Sequence, residues 1–171
     1  FRKARGEDVG DSRIESDMVG DAGEILEEIE AAGVELLLPI DHVCGRALEA
    51  DTETKVFSGS IDSGWMGLDI GPETRRTYTE AIRGAKTIVW NGPMGVFEMK
   101  PFEAGTREVA EAIADATNRG ATSVIGGGDS AAAIERFGLA DRVSHVSTGG
   151  GASLQMLEGR SFDSVSLLDE A

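Results

Sequence analysis

Cysteine is almost absent: Cys44 is the single one in 171 residues. No disulfide can close within this sequence, so folding rests on a packed core, and the lone thiol reads as a small hydrophobe. A reducing, cytoplasmic setting fits that usage. Basic charge is also scarce, with 16 Lys and Arg against 31 Asp and Glu, a formal net charge of −15. That balance argues against nucleic acid and against anionic membranes, since a phosphate polymer needs a basic surface. A small phosphate ligand would have to be held locally, by backbone N–H groups, helix dipoles and a bound metal. No apolar run approaches a membrane span. There is no low-complexity tract and no long linker, so residues 1–171 read as a single domain. The sequence opens Phe1-Arg2-Lys3-Ala4-Arg5-Gly6, without an initiator Met or the apolar stretch of a signal peptide. It resembles the last turns of a helix stopped by Gly6, and the expectation is that it starts inside a longer protein.

Hydrophobic residues make up 40% and charged residues 27%, the balance of a globular domain large enough to bury a core. The spacing of Met18, Ala22, Ile25, Leu26 and Ile29 predicts a helix, capped by Ser16 or Asp17, running to Ala32 and ended by Gly33. Residues 34–39 read as a fully buried strand, because Leu36-Leu37-Leu38 shows no alternation. Residues 41–45 form a second short strand or a loop, and 54–57 are a further strand candidate. Residues 58–72 read as a long loop, of the kind that often carries function. From there the pattern alternates: helix 73–84, strand 86–91, helix 102–118, strand 124–125, helix 131–137, strand 143–146 and helix 152–157. The tail, 159–171, is a loop with a short apolar run at 165–168. Strands alternating with helices predict an α/β fold, three-layered and Rossmann-like, with a mainly parallel sheet covered on both faces. Ligands of such sheets bind beyond the carboxyl ends of the strands.

Two glycine turns stand at those ends: Gly126-Gly127-Gly128-Asp129-Ser130 and Ser147-Thr148-Gly149-Gly150-Gly151-Ala152-Ser153. Asn91-Gly92-Pro93 follows a third strand, so all three should line one edge. Glycine lets backbone approach a ligand closely, and a helix N-terminus presents unpaired N–H groups suited to phosphate. Asp129 is either a helix cap or a carboxylate for a hard cation such as Mg²⁺. A P-loop is excluded because neither turn supplies its Lys. A dinucleotide fingerprint fits poorly, since the final Gly is missing and the next strand ends Ser147-Thr148. Eight βα units of a barrel do not fit the length.

Four motifs in order resemble phosphoglycerate kinase: Gly64-Trp65-Met66-Gly67-Leu68-Asp69-Ile70-Gly71-Pro72, Val89-Trp90-Asn91-Gly92-Pro93-Met94-Gly95-Val96-Phe97-Glu98, and the two glycine turns. The resemblance covers nearly the whole sequence and matches the family's carboxy-terminal, nucleotide-binding domain. It implies binding of Mg-ATP or Mg-ADP, and an amino-terminal partner domain of the same parent chain that binds 3-phosphoglycerate. By matched position, Gly67, Leu68 and Val96 border the adenine pocket. Asn91 lies near the phosphates, with Gly92 and Pro93 in the adjoining turn, and Glu98 holds the ribose hydroxyls. Gly127, Gly128 and Ser130 cradle phosphate, Asp129 contacts Mg²⁺, and Gly149, Gly150 and Gly151 face the transferring phosphoryl group. The family's catalytic arginine and the lysine-bearing strand that opens the nucleotide domain have no counterpart in these residues. The sheet is therefore expected to miss at least one amino-terminal strand, and the chain alone to be inactive. The rival from another class is a non-catalytic nucleotide-binding or scaffold module that kept the glycine turns. Blander roles apply elsewhere: Trp65 and Trp90 as packing, His42 and His145 as structural or exposed, and Glu24, Glu27, Glu28 and Glu30 as a solvated helix face.

Overall fold

The computed structural model describes residues 1–147 and 149–159. Thr148, the tail from 160 on and its apolar run at 165–168 lie outside the described residues. Three parallel strands, β4 (Thr87–Asn91), β5 (Thr122–Gly126) and β6 (His145–Ser147), form a sheet in the order β4-β5-β6. α2 (Pro72–Gly84) packs along α3 (Ala104–Asn118), and α4 (Gly128–Arg136) lies against β5 and β6. The main core joins Ile88 and Trp90 of β4, Ile125 of β5, Val109 and Ile113 of α3 and Ile134 of α4. Ala110, Ala114 and Ala116 of α3 are buried with them, so helix and sheet approach closely without a bulky side chain between. The α/β class and the parallel sheet follow the alternation in the sequence.

A second sheet was not foreseen. β1 (Asp41–Gly45), β2 (Thr54–Ser58) and β3 (Met66–Ile70) pair antiparallel in the order β2-β1-β3. The connection 46–53 is too short for the crossover that parallel pairing demands, so β1 and β2 pair antiparallel as a hairpin, and β3 returns across β1 to pair with its other edge. Residues 58–72 are thus not one long loop, because 66–70 belong to the sheet. Cys44, Phe57, Ile61 and Trp65 make its small core, with Phe57 edge-on to Trp65 at 5.5 Å and the Arg46 guanidinium 3.9 Å above the Trp65 ring. Trp65 and Trp90 are packing residues in the described structure, at 4% and 5% exposure.

Residues 34–39 form no strand. No strand is paired with them among the described residues, and apolar composition alone cannot make a strand without a ladder partner. Val34 is exposed, and the Leu37 carbonyl accepts from Tyr78 Oη at 2.9 Å. α1 (Val19–Ala32) ends at Gly33, whose φ of +67° supplies the left-handed cap. It is preceded by a 3₁₀ turn, Ser16–Met18, and neither Ser16 nor Asp17 makes a side-chain cap bond. The expected apolar stripe is not buried: Met18, Ala22 and Ile25 line an open groove of about 940 Å³ together with Phe1, Ile14 and Ile61. The acidic residues Glu24, Glu27, Glu28 and Glu30 are exposed.

Candidate functional site

Register places the three strand ends side by side. Asn91 pairs with Gly126, and Gly126 with Ser147. Beyond them the backbone turns at Gly92 and Gly127, with φ of +95° and +92°, a region that side chains beyond glycine rarely tolerate. The turns are stitched together: Gly92 N–H donates to Ser130 Oγ at 2.7 Å, and Gly127 N–H donates to the Ser147 carbonyl at 3.1 Å. Ser130 is fully buried, whereas Gly128 and Asp129 are exposed. In α4 the Ala131 N–H donates to the Gly127 carbonyl at 3.0 Å, so the amides of Gly128, Asp129 and Ser130 precede the helical ladder. Gly127 is the N-cap residue and α4 has no side-chain cap bond. Asp129 is therefore not a cap. Its carboxylate stands in the first turn, where the helix dipole favours negative charge. At the neighbouring strand end Gly149 N–H donates to Ser147 Oγ at 3.2 Å, and Gly150 and Gly151 open α5 (Gly150–Leu157).

A cleft of about 300 Å³ adjoins this edge, lined by Gly67, Leu68, Pro93, Met94 and Val96. Val96 N–H donates to the Leu68 carbonyl at 2.9 Å, tying the turn after β4 to β3. Glu98 is exposed at the end of this turn, and its carbonyl accepts from Arg136 Nη2 of α4 at 3.3 Å. The structure thus brings Gly67, Leu68, Pro93 and Val96 around one cleft, and Asn91, Gly92, Gly127, Gly128, Asp129 and Ser130 onto one edge. Among the described residues no three His, Cys, Asp or Glu side chains cluster as a metal site. His42 borders both the cleft and the larger groove; its Nδ1 lies 2.8 Å from Arg2 Nη1. Burial first, and then Arg2, hold its pKa below the ordinary imidazole value.

Sequence reasoning missed the buried polar groups behind these turns. Asp69 follows Gly67-Leu68 on β3; its Oδ1 accepts from Ile70 N–H at 2.8 Å and its Oδ2 from Gly105 N–H of α3 at 2.7 Å. Burial pushes its pKa up to about 6 against the opposing pull of the Gly105 and Ile70 hydrogen bonds and of Arg75. Thr106 Oγ1, fully buried, accepts from Met94 and Gly95 N–H at 3.1 and 3.3 Å and so shapes the turn. Asp41 caps α2 from a separate strand, since the N-cap residue Gly71 has no side chain to do so. Its oxygens accept from Glu73 N–H, Thr74 N–H and Thr74 Oγ1–H at 3.0, 2.8 and 2.6 Å. Burial alone would raise its pKa, but the bonds from Thr74 and Glu73 outweigh it and hold Asp41 below the ordinary carboxylate range. The available signal was a carboxylate within an apolar strand, which has to be satisfied by partners distant in sequence.

Fold and site together define an α/β domain whose strand-end glycine turns converge on one sheet edge beside a small cleft. The family model described as phosphoglycerate kinase matches residues 1–160. The chain is 55% identical over 167 residues to the phosphoglycerate kinase of Thermosipho africanus (strain TCF52B), covering 96% of this chain and 42% of that protein. It is 50% identical over 172 residues to the cytosolic phosphoglycerate kinase of Triticum aestivum, covering 100% of this chain and 43% of that one. The solved phosphoglycerate kinase from Coxiella burnetii superposes with a TM-score of 0.87 at 41% identity, covering 92% of this chain and 41% of that chain. That from Pyrococcus horikoshii OT3 gives 0.76 at 35% identity, covering 94% and 40%. The chain belongs to the phosphoglycerate kinase family. It spans 42–43% of the length of these curated relatives.

Proposed function

We propose that residues 1–171 are the carboxy-terminal, nucleotide-binding domain of a two-domain phosphoglycerate kinase. The parent reaction is reversible phosphoryl transfer between ATP and 3-phosphoglycerate, a step of glycolysis. The observation that carries this reading is the alignment of Asn91, Gly126 and Ser147 at one edge, each followed by a glycine turn. Such transfer needs positioning and charge stabilisation more than covalent chemistry. Gly67, Leu68 and Val96 border the base, and Glu98, exposed and away from α4's first turn, accepts the ribose hydroxyls. Asn91, with Gly92 and Pro93 in its turn, flanks the phosphates. Gly127, Gly128 and Ser130 cradle phosphate; Ser130 Oγ also accepts from Gly92 N–H and so ties the two turns together. Gly149, Gly150 and Gly151 face the moving phosphoryl group; Gly149 N–H is engaged by Ser147 Oγ, and the Gly150 and Gly151 N–H groups at the start of α5 are the donors, at little reorganisation cost.

The donor set fits Mg²⁺. A hard divalent ion bound with nucleotide needs only one protein carboxylate, the phosphates and water filling the rest, and Asp129, exposed in the first turn of α4 beside the glycine turn, would supply it. When bound, the ion neutralises charge on the phosphates. No helix of the described residues is long and apolar enough to cross a membrane. The acidic balance opposes nucleic acid and membranes, and the wheat relative's cytosolic name supports a cytoplasmic setting. The acceptor-binding amino-terminal domain, with the cations that stabilise transfer, lies in the rest of the parent chain. A coupled assay with 3-phosphoglycerate and Mg-ATP tests this: the full-length protein should turn over, and residues 1–171 alone should read at background. Nucleotide binding without turnover by the full-length protein would favour a non-catalytic module.

A further inference from the structure

Both walls of the small cleft lean on one buried carboxylate. Asp69 is 3% exposed and directly follows Gly67 and Leu68. Each of its oxygens accepts a backbone N–H, one from Ile70 beside it and one from Gly105 in the first turn of α3. The fit is tight: a Cβ added at Gly95 or at Gly105 would overlap the carboxylate. The next residue of α3, Thr106, holds the amides of Met94 and Gly95. Strand β3, the turn after β4 and the first turn of α3 are thus joined at Asp69 and Thr106.

We propose that Asp69 is a positioning residue for nucleotide: its ionised carboxylate, clasping Gly105 N–H, sets the spacing between the Gly67–Leu68 wall and the Gly95–Val96 wall of the cleft, so nucleotide affinity depends on its charge. This rests on the nucleotide-site reading above. The chemistry is direct. A carboxylate offers two acceptors to two donors, whereas a protonated acid or an amide sets a donor against one of the N–H groups and opens the clasp. Of the charged groups facing Asp69, α2 contributes Arg75 and α3 contributes Glu108, themselves paired at 3.1 Å. Its register partner on β1 is uncharged Val43, and the turn presents Gly95.

The fold itself favours the uncharged form. With a folded pKa raised from 3.8 to about 6, the stability that Asp69 contributes is complete below 3.8 and lost as pH rises through about 6. Near pH 8 the ionised clasp is therefore held at the expense of stability. Asp69→Asn, read as a stand-in for the protonated acid, should weaken nucleotide binding there.

The experiment is calorimetric titration of Mg-ADP into the full-length protein and its Asp69→Asn variant, from near pH 8 to near pH 5.5. The variant should bind about ten-fold more weakly near pH 8. The ratio between the two should shrink on acidification; using the ratio cancels titration of the nucleotide and of His42. A second measurement needs no variant: carbon-13 NMR of the Asp69 carboxyl should show its pKa falling when Mg-ADP binds, by reciprocity of linkage. Equal affinity near pH 8, a ratio independent of pH, or an Asp69 pKa unmoved by Mg-ADP each overturns the proposal. If the wild type binds no Mg-ADP at any pH, the nucleotide-site reading itself fails and takes this one with it.

Discussion

Ser130→Ala separates the two tasks assigned to that residue. Ser130 is completely buried, and its Oγ accepts from Gly92 N–H at 2.7 Å across the gap between the turns after β4 and β5. Alanine fits the same space, so no steric strain confuses the result. What is lost is one short neutral hydrogen bond, and a half-buried amide is left without its acceptor. A net bond contributes about 0.5–1.5 kcal/mol, and an unsatisfied buried donor costs about 1–3 kcal/mol. Because Gly92 is only half-buried, water recovers part of the penalty, and the expected loss is about 1–2 kcal/mol. Urea unfolding of the full-length protein measures it, as a lower midpoint at unchanged slope. Nucleotide affinity should fall less than the ten-fold that corresponds to about 1.4 kcal/mol, because the first-turn amides of α4 remain. A stability change below about 0.5 kcal/mol would show that the bond does not hold the turns together. A loss of affinity far beyond ten-fold would mean that the hydroxyl itself contacts phosphate.

Glu98→Ala should weaken ATP and ADP alike by roughly ten-fold to a hundred-fold, the worth of about 1.5–3 kcal/mol from hydrogen bonds to a charged group. Inorganic triphosphate should bind no worse, and calorimetry compares the three ligands; a loss confined to ATP would move Glu98 to the γ-phosphate. Asp129→Asn should remove most of the Mg²⁺ dependence of nucleotide binding while leaving Tm near that of the wild type, since Asp129 makes no cap bond; titrations with and without Mg²⁺ decide it. Asp41→Asn should cost about 1.5–3 kcal/mol near neutral pH, because three donors lose a charged partner. Asp41 has a depressed folded pKa, so its contribution is present above 3.8 and lost as pH falls through the lower folded value. The difference between variant and wild type should therefore narrow in acid, as thermal melts across pH would show.

Local chemistry was legible where one residue type answers one backbone need. Gly33, Gly92 and Gly127 mark turns because positive φ requires them, and their spacing from the β-branched runs located the strand ends. The parallel sheet followed from the alternation that surrounds those turns. The antiparallel sheet did not, because Gly64, Gly67 and Gly71 make 66–70 look like loop, and its strand character comes from pairing with β1. Residues 34–39 failed the opposite way: an apolar run reports burial potential, and a strand also needs a neighbour to bond. Candidate site residues were found as motifs, yet Asp41, Asp69, Thr74 and Thr106 were not. Apart from Ile70 beside Asp69, the partners cited for them lie 11 to 36 residues away, a closeness that only the tertiary fold creates.

The central claim, that nucleotide sits across the strand-end turns and the small cleft, is tested most directly by mapping backbone amide shifts in the deuterated full-length protein as Mg-ADP is added. The account expects the largest changes at Gly67, Leu68, Val96, Gly127, Gly128, Asp129 and Ser130. Changes centred instead on the groove between α1 and the first residues of the chain, with those amides unmoved at saturation, would contradict it.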